Sequence, residues 1–370
     1  VVTAAQVYNE FSSGTPDATA YRRLMKMLYD RAADAASAPK YLLLFGDGLT
    51  DNRLITYPRM SADNFLLTYQ SDNSVSAVRS YVLEDYFALL DDGEGGNLLR
   101  DKVDISVGRI PVQTTSDASA VVNKLIAYIE NRNPGAWQNR LLLMGDDGDK
   151  TIPNQHMKDA EAIARLTLEA NPAFMINRIY WDEYPMEVLS TGNSYPMATQ
   201  AIYDRLDEGV LIANYSGHGS ANLLSHEQTW KASDMAALSS PRVPFWVTAS
   251  CDIGPFDMGD GSLAETAMLN PNGAAIGLFT TTRTVLQVYN AIINQKFMQL
   301  LLTPDAEGRY PSVGDAMRMA KCAVISEGSD LSENKLQYVL IGDPALRLHI
   351  PRYKVVVDKF DGADATHEGE

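Results

Sequence analysis

One cysteine and one histidine in this sequence have the residue types and settings that acyl transfer requires. Cys251 comes just after the apolar run Phe245–Ala249, and His218 lies in a glycine-bearing turn after the apolar run 211–215. A thiolate can attack a carbonyl carbon, and an imidazole can pass a proton to the leaving amine. If the two runs are adjacent parallel strands, their ends meet at one edge of the sheet. The pattern therefore predicts a dyad of Cys251 and His218.

The surroundings of these two residues favour a reactive site, although each has a plainer interpretation. A single cysteine at a strand end is commonly a small buried hydrophobe, and a single histidine is commonly structural. Both follow core-type runs and lie in polar, glycine-bearing turns, which favours chemistry over packing. The backbone amides of Gly219 and Cys251 are predicted to form an oxyanion hole. Cys322 lies in a helical run and is predicted to be structural.

Other chemistries have weaker support. His226 lies near His218, but no further cysteine or histidine falls at a zinc-ligand spacing, so no metal site is predicted. Ser216 and Ser220 would be the nucleophiles of a generic α/β hydrolase, yet neither lies in a G-x-S-x-G elbow. The sequence also lacks the G-x-x-x-x-G-K-[ST] phosphate loop. These alternatives are less favoured than thiol chemistry.

The charge balance limits the possible partners. The chain has 31 Lys and Arg against 47 Asp and Glu, a formal net charge of −16, so nucleic acid and anionic membrane surfaces would be repelled. No apolar run approaches the roughly 18 residues of a membrane helix. The start at Val1, without an initiator Met, is expected for a soluble piece of a longer precursor. No cofactor is expected to be required, and the acidic loops could hold calcium as a structural ion.

Strand-like and helix-like segments alternate along the chain. Apolar runs such as residues 41–45 and Arg140–Gly145 end in glycine and aspartate, and amphipathic segments follow them. This alternation predicts an α/β fold with mainly parallel sheets flanked by helices. The break at residues 131–135 divides the prediction into an α/β subdomain over 1–133 and a catalytic α/β subdomain over 134–350. Residues 351–370 are predicted to lead into a further domain, beginning with the β-like segment 354–357.

At the two strand ends the sequence resembles the gingipain family of cysteine peptidases. The matching motifs are Tyr215 to Ser220, which reads Y-S-G-H-G-S, and Ala249 to Cys251, which reads A-S-C. Caspases and legumains share the same order of His-Gly followed by Cys. Further local likenesses extend over most of the chain and favour the branch of the family that serves type IX secretion as its sortase. They are residues 7–14, 107–112, 146–149, 334–337 and 342–345.

The resemblance implies a caspase-like fold and a role for further residues. It implies that Asp146 is the acidic residue near the histidine, and Thr280, Thr281 and Arg283 are predicted to form pocket walls. Arginine-specific gingipains carry an acidic pocket residue just before the stretch that matches Gln155. Residues 151–154 read T-I-P-N here, so small or polar residues are predicted before the scissile bond instead of arginine.

For function, the resemblance implies a protease of the bacterial outer surface. The sortase branch removes C-terminal sorting domains from secreted proteins and can join the new carboxyl end to an amine of lipopolysaccharide. The expected partners are therefore protein substrates, type IX secretion components and that amine acceptor. The alternative is a non-catalytic adhesion or assembly module that retains the gingipain fold. Rapid alkylation of Cys251 by iodoacetamide would favour the enzyme.

Overall fold

The fold is organised around one sheet of eight strands. The computed structural model describes residues 1–56, 65–72, 76–148, 153–190, 192–259, 261–351, 359–360 and 363–364. The predicted β-like segment 354–357 lies outside these residues. The strands of the sheet are β1 (Tyr41–Phe45), β2 (Ser106–Ile110), β3 (Arg140–Gly145), β4 (Met175–Tyr180), β5 (Ile212–Ser216), β6 (Phe245–Ala249), β7 (Gly277–Thr281) and β8 (Tyr338–Ile341).

The strand order is β1-β2-β8-β7-β6-β5-β3-β4, and each neighbouring pair is parallel except β7 and β8. That antiparallel junction divides the sheet into a group of three parallel strands and a group of five. The prediction of a mainly parallel α/β fold flanked by helices is confirmed. The division of the chain near residue 133 stays a prediction. Strand β8, from the second predicted subdomain, pairs with β2 from the first.

Helices and short strands fill the connections between the strands. The helices are α1 (Ala4–Phe11), α2 (Thr19–Asp30), α3 (Thr115–Ile129), α4 (Gln155–Ala170), α5 (Pro196–Glu208), α6 (Ala232–Ala237), α7 (Leu263–Leu269), α8 (Gln287–Leu301) and α9 (Val313–Glu327). Short 3-10 turns cover Glu84–Ala88, Ala136–Asn139, Trp181–Glu183 and Glu333–Gln337. Small antiparallel pairings join Glu187–Leu189 to Gly192–Ser194, Gly219–Ser220 to Leu223–Leu224 to Trp230–Lys231, and Lys359–Phe360 to Ala363–Asp364. No helix in the described part of the chain has the length and apolarity needed to cross a membrane.

Local sequence signals explain where several helices begin and end. Thr114 and Ser312 cap α3 and α9 by accepting the backbone N–H three residues on, which satisfies a donor that the first helical turn leaves free. Pro196 opens α5, where its missing N–H costs nothing. Gly328 ends α9 in the left-handed conformation that glycine adopts readily.

Two hydrophobic clusters pack against the sheet. The larger one contains the side chains of the central strands, of which Leu141–Met144 in β3 are fully buried, as expected for a strand covered on both faces. The smaller one joins α1, α2 and the turn Glu84–Ala88 to strands β1 and β2. Strand β2 begins at Ser106. Val103 and Ile105 are buried in the smaller cluster just before it.

Candidate active site

Strands β3, β5 and β6 are adjacent, and their ends meet at one level. Ser216, the last residue of β5, is in register with both Gly145 at the end of β3 and Ala249 at the end of β6. The residues that follow these three strands therefore emerge at one edge. The predicted dyad requires that the strands before His218 and Cys251 be neighbours, and in the structure they are. The strand ends are aligned because burial of the apolar side chains fixes the register in which the strands pair.

Buried contacts hold the turn that carries His218. The carboxylate of Asp146 accepts the backbone N–H of His218 at 2.8 Å and the hydroxyl of Tyr215 at 3.2 Å. The same hydroxyl donates to the carbonyl of His218 at 2.7 Å. A Cβ on Gly217 would lie 2.5 Å from the Cβ of Asp146, so only glycine fits between them. These contacts fix the backbone from which the imidazole projects.

Gly219 packs directly against the turn that carries Cys251. A Cβ at this position would lie 2.5 Å from Cδ1 of Ile253 and 3.2 Å from the carbonyl oxygen of Cys251, and it would also meet Oγ of Ser250. The absence of a side chain thus brings the two turns into contact. The structure places Gly219 beside Cys251, and their role as an oxyanion hole stays a prediction.

The thiol of Cys251 contacts the backbone that precedes α8. Its Sγ lies 3.4 Å from both the N–H and the carbonyl oxygen of Val285. Burial raises the pKa of this thiol, the hydrogen bond from Val285 lowers it, and the neighbouring carboxylate of Asp252 raises it. A thiol with a raised pKa needs a nearby base to remove its proton before it can attack. His218 follows the adjacent strand, and its role as that base stays a prediction.

The three predicted pocket-wall residues lie beneath the Cys251 turn and are buried. Thr281 donates its hydroxyl to the carbonyl of Ser250, which supports the turn from below. The hydroxyl of Thr280 is used within the sheet by Thr248. The guanidinium of Arg283 pairs with the carboxylate of Asp257 through two contacts, at 2.9 and 2.6 Å. These contacts are those of supporting residues, and their role as pocket walls stays a prediction.

Two further histidines flank His218, and sequence reasoning had not placed them there. The ring of buried His156, at the start of α4, lies 5.1 Å from the His218 ring, edge to face. The ring of exposed His226 lies 4.6 Å away. The position of Gln155 and His156 at a helix start was a signal that could have indicated the first neighbour. No comparable signal indicated the second.

Acidic residues cluster around Asp146. Burial raises the pKa of Asp146 well above its usual value, and the nearby carboxylates of Asp147 and Glu227 raise it further, while the N–H of His218 lowers it. Oxygen atoms of Asp146, Asp147 and Glu227 lie within 4.8 Å of one another, as do those of Asp91, Glu94 and Asp104. Carboxylate oxygens are ligands that calcium prefers. Calcium binding stays a prediction.

The stretch predicted to shape substrate preference is only partly described. Residues 151 and 152 lie outside the described residues, while Pro153 and Asn154 immediately precede α4. Asp159, on the same helix, lies near the Cys251 turn, because its carboxylate accepts from the side chains of Gln155 and Gln287. The sequence alone had given no reason to single out Asp159.

The chain belongs to peptidase family C25, the gingipain family, whose profile matches residues 1–349. It is a cysteine peptidase. No curated protein sequence matches the chain significantly. The family membership inferred from the His-Gly and Cys motifs is confirmed.

Solved structures share the fold. The Arg-specific cysteine proteinase gingipain R (RgpB) superposes with a TM-score of 0.68 at 16% identity over 92% of this chain and 70% of that one. The complex of the RgpB pro- and mature domains from Porphyromonas gingivalis gives 0.70 at 16% identity, over 94% and 73%. Dimeric latent PorU from the same organism matches at 24% identity and a TM-score of 0.49, over 98% of this chain and 29% of that one.

Proposed function

We propose that this cysteine peptidase cleaves the C-terminal sorting domains of secreted proteins, with Cys251 as nucleophile and His218 as acid and base. The observation that carries the proposal is the contact between the two turns. Gly219, next to His218, lies against the carbonyl of Cys251, at the ends of adjacent parallel strands. This arrangement supports a dyad across the sheet edge.

In this mechanism His218 takes the proton of the Cys251 thiol, and the sulfur attacks the carbonyl carbon of the scissile peptide bond. The tetrahedral oxyanion lies near the backbone amides of Gly219 and Cys251. Collapse of the intermediate breaks the C–N bond, and the imidazolium returns its proton to the leaving amine. A thioester to Cys251 remains. Water resolves it by hydrolysis, and an amine resolves it by forming a new amide.

Asp146 supports this chemistry through the backbone. Because its carboxylate accepts the N–H of His218, it fixes the position of the turn that presents the imidazole. The near-complete burial of Asp146 supports a positioning role. Tyr215 completes the support by bonding both Asp146 and the carbonyl of His218.

The preference for sorting domains is supported by the local sequence likenesses to the sortase branch, such as residues 107–112, 334–337 and 342–345. On that proposal the enzyme works at the bacterial outer surface with type IX secretion components. An amine of lipopolysaccharide is its second acceptor beside water. The net charge of −16 supports partners other than nucleic acid.

A cleavage assay tests the proposal. A secreted protein with its sorting domain is incubated with the parent chain and with Cys251→Ala, and the products are identified by mass spectrometry. We expect one cut at the domain junction that depends on Cys251. An added primary amine should appear on the new carboxyl end of part of the product. Unchanged processing by Cys251→Ala would rule out Cys251 as the nucleophile, whereas no processing by the parent chain would favour an adhesion or assembly module.

A peptide library tests the preference before the cut. The stretch before Gln155 lacks the acidic residue expected of arginine-specific members, so an arginine side chain would lose its hydration without a partner. We expect peptides with small or polar residues before the cut to be cleaved well and arginine peptides poorly. Cleavage mainly after Arg or Lys, dependent on Cys251, would contradict this preference.

A further inference from the structure

A short backbone segment holds the sulfur of Cys251 in place. Residues 285–287, here called the thiol strap, comprise the end of the connection between β7 and α8 together with the first residue of α8. The backbone of Val285 contacts Sγ through both its N–H and its carbonyl oxygen, each at 3.4 Å. The position of the strap therefore decides how the thiol is oriented and how well its thiolate is stabilised.

Two buried side chains hold adjacent residues of the strap. The amide oxygen of Asn334 accepts the backbone N–H of Leu286 at 2.7 Å. The carboxylate of Asp159 accepts the side-chain N–H of Gln287 at 2.5 Å. Asn334 comes from the turn before β8, whereas Asp159 comes from α4, the helix whose first turn carries His156 against the His218 ring.

The Asp159 contact is unusual because a carboxylate has been buried to make it. Its residue is 8% exposed, and among the described residues no lysine, arginine or histidine pairs with it within ion-pair distance. Its two oxygen atoms accept instead from two neutral amides, Gln155 at 2.9 Å and Gln287. Burial of an unpaired charge opposes folding, so packing gives no reason to retain an aspartate at this position.

The carboxylate of Asp159 constrains its two glutamine partners in a way that an amide at this position would not. It has only acceptors, so both glutamines must turn their N–H groups towards it. The orientation of the Gln287 amide is thereby fixed, and with it the first residue of α8 beside the strap.

We propose that Asp159 is a positioning residue that fixes the thiol strap, and through it the sulfur of Cys251, relative to the helix that contacts His218. The proposal rests on the proposed function for its catalytic meaning. The clamp itself, Asp159 with Gln287, links the cysteine side of the site to α4. It acts on catalysis through Val285, with no contact to the reacting atoms required.

The test measures thiol reactivity directly. In a Cys322→Ala background only Cys251 is alkylated, and its rate with iodoacetamide at fixed pH is measured for each variant beside its melting temperature. We expect Asp159→Ala to slow alkylation about threefold to tenfold, the factor of one lost hydrogen bond that fixes the strap. Asp159→Asn should restore only part of the rate, because it keeps one acceptor oxygen but its N–H group no longer obliges both glutamines to donate.

Matched variants separate positioning from general loss of stability. Gln287→Ala removes the strap side of the clamp without touching α4, so it should slow alkylation as much as Asp159→Ala, and the double variant should be no slower. Gln155→Ala removes the other hydrogen bond of the same carboxylate and should have a smaller effect. Asp204→Ala removes the equivalent Gln200–Asp204 contact on the exposed face of α5 and should leave the rate unchanged.

Peptide cleavage then provides a second, separate readout. With the clamp broken, kcat should fall with little change in KM. If the parent protein cleaves nothing, the proposed function fails while alkylation still tests the clamp. Alkylation rates for folded Asp159→Ala and Gln287→Ala that equal the parent rate would overturn the proposal. So would a change confined to KM, since it would make Asp159 a substrate contact.

Discussion

The backbone N–H of His218 donates to the carboxylate of Asp146, and this hydrogen bond of 2.8 Å joins the ends of two adjacent strands. The acidic residue implied by the family resemblance is thus present beside the histidine turn, where it holds the main chain. His218 is positioned through its peptide backbone, so the geometry of the turn decides where its imidazole lies.

Replacing the nucleophile should abolish cleavage and preserve the fold. Cys251→Ala removes a half-buried thiol that contacts only the strap backbone by hydrogen bonding, so we expect no peptide cleavage and a melting temperature close to that of the parent.

His218→Ala should reduce turnover by about 10²- to 10⁴-fold, the usual contribution of a general acid or base. Turnover is measured with a fluorogenic peptide.

Cys322→Ala is the control, because Cys322 lies on α9 with its sulfur near the carbonyl of Val103. It should keep full turnover. Loss of activity in folded Cys322→Ala, with activity retained in Cys251→Ala, would show that the nucleophile was assigned wrongly.

Substitution of Asp146 should give graded effects. Asp146→Asn keeps an oxygen that accepts the His218 N–H, so we expect a loss in kcat of less than about tenfold. Asp146→Ala leaves the N–H of His218 without its acceptor, although the hydroxyl of Tyr215 keeps the carbonyl of His218. We expect a larger loss in kcat and a stability decrease of about 1–3 kcal/mol. Chemical denaturation and kinetics measure the two effects.

Asp147→Asn, on the next residue, is the control for charge alone. If it reduced kcat as much as Asp146→Ala, the local negative charge would matter and the backbone hydrogen bond would not.

A single methyl group at Gly219 should separate the two turns. Gly219→Ala places a Cβ against Ile253 and the carbonyl of Cys251, and neither the strand end nor the turn has room to yield. We expect at least a tenfold loss of kcat/KM, with overpacking costing about 1–3 kcal/mol of stability. Gly96→Ala, where nothing lies within 4 Å, is the matched control and should behave as the parent. Full activity in Gly219→Ala would contradict the close contact on which the dyad depends.

Stability should depend on pH through one buried carboxyl. Burial raises the pKa of Glu265 from 4.5 to about 8, and the nearby charge of Asp47 adds to the effect. Below about pH 4.5 both folded and unfolded chains hold the proton, so there is no cost. Between pH 4.5 and 8 only the unfolded chain releases it, so stability falls as pH rises.

Glu265→Gln should remove that cost. We expect its melting temperature relative to the parent to rise steadily from pH 4.5 to pH 8, for a gain of up to about 5 kcal/mol at the upper end. Melting curves across this range measure it, with Glu169→Gln on the exposed face of α4 as control. A difference in melting temperature that is constant over this range would show that Glu265 titrates normally.

The sequence indicated which strands carry the site, but it did not indicate which residues contact one another there. Apolar runs ending in polar, glycine-bearing turns marked β5 and β6, because buried parallel strands need continuous hydrophobic side chains. What those runs could not show is which helix reaches over the strand ends. The thiol strap and Asp159 both lie far from Cys251 in the sequence. Only the packing of α4 against α8 brings them together.

The predicted pocket walls illustrate the same limit. A threonine after a strand can face a cleft or the interior, and the sequence pattern is the same in both cases. Which way it faces depends on the neighbouring strand. Here the hydroxyls of Thr280 and Thr281 form hydrogen bonds with Thr248 and with the carbonyl of Ser250. For Arg283 the deciding residue is Asp257, which pairs with its guanidinium in the interior.

The position of β8 has a consequence for how the chain acquires its fold. This strand comes from the last part of the sheet-forming sequence, yet it lies between β2 and β7, in the middle of the sheet. Until residues 338–341 are in place, no strand joins the pair β1-β2 to the five-stranded group. Such long-range pairing is slow to form, because closing a large loop costs conformational entropy before the new contacts can offset that cost. During synthesis, the sheet that supports the thiol is therefore complete only after residue 341 has been made.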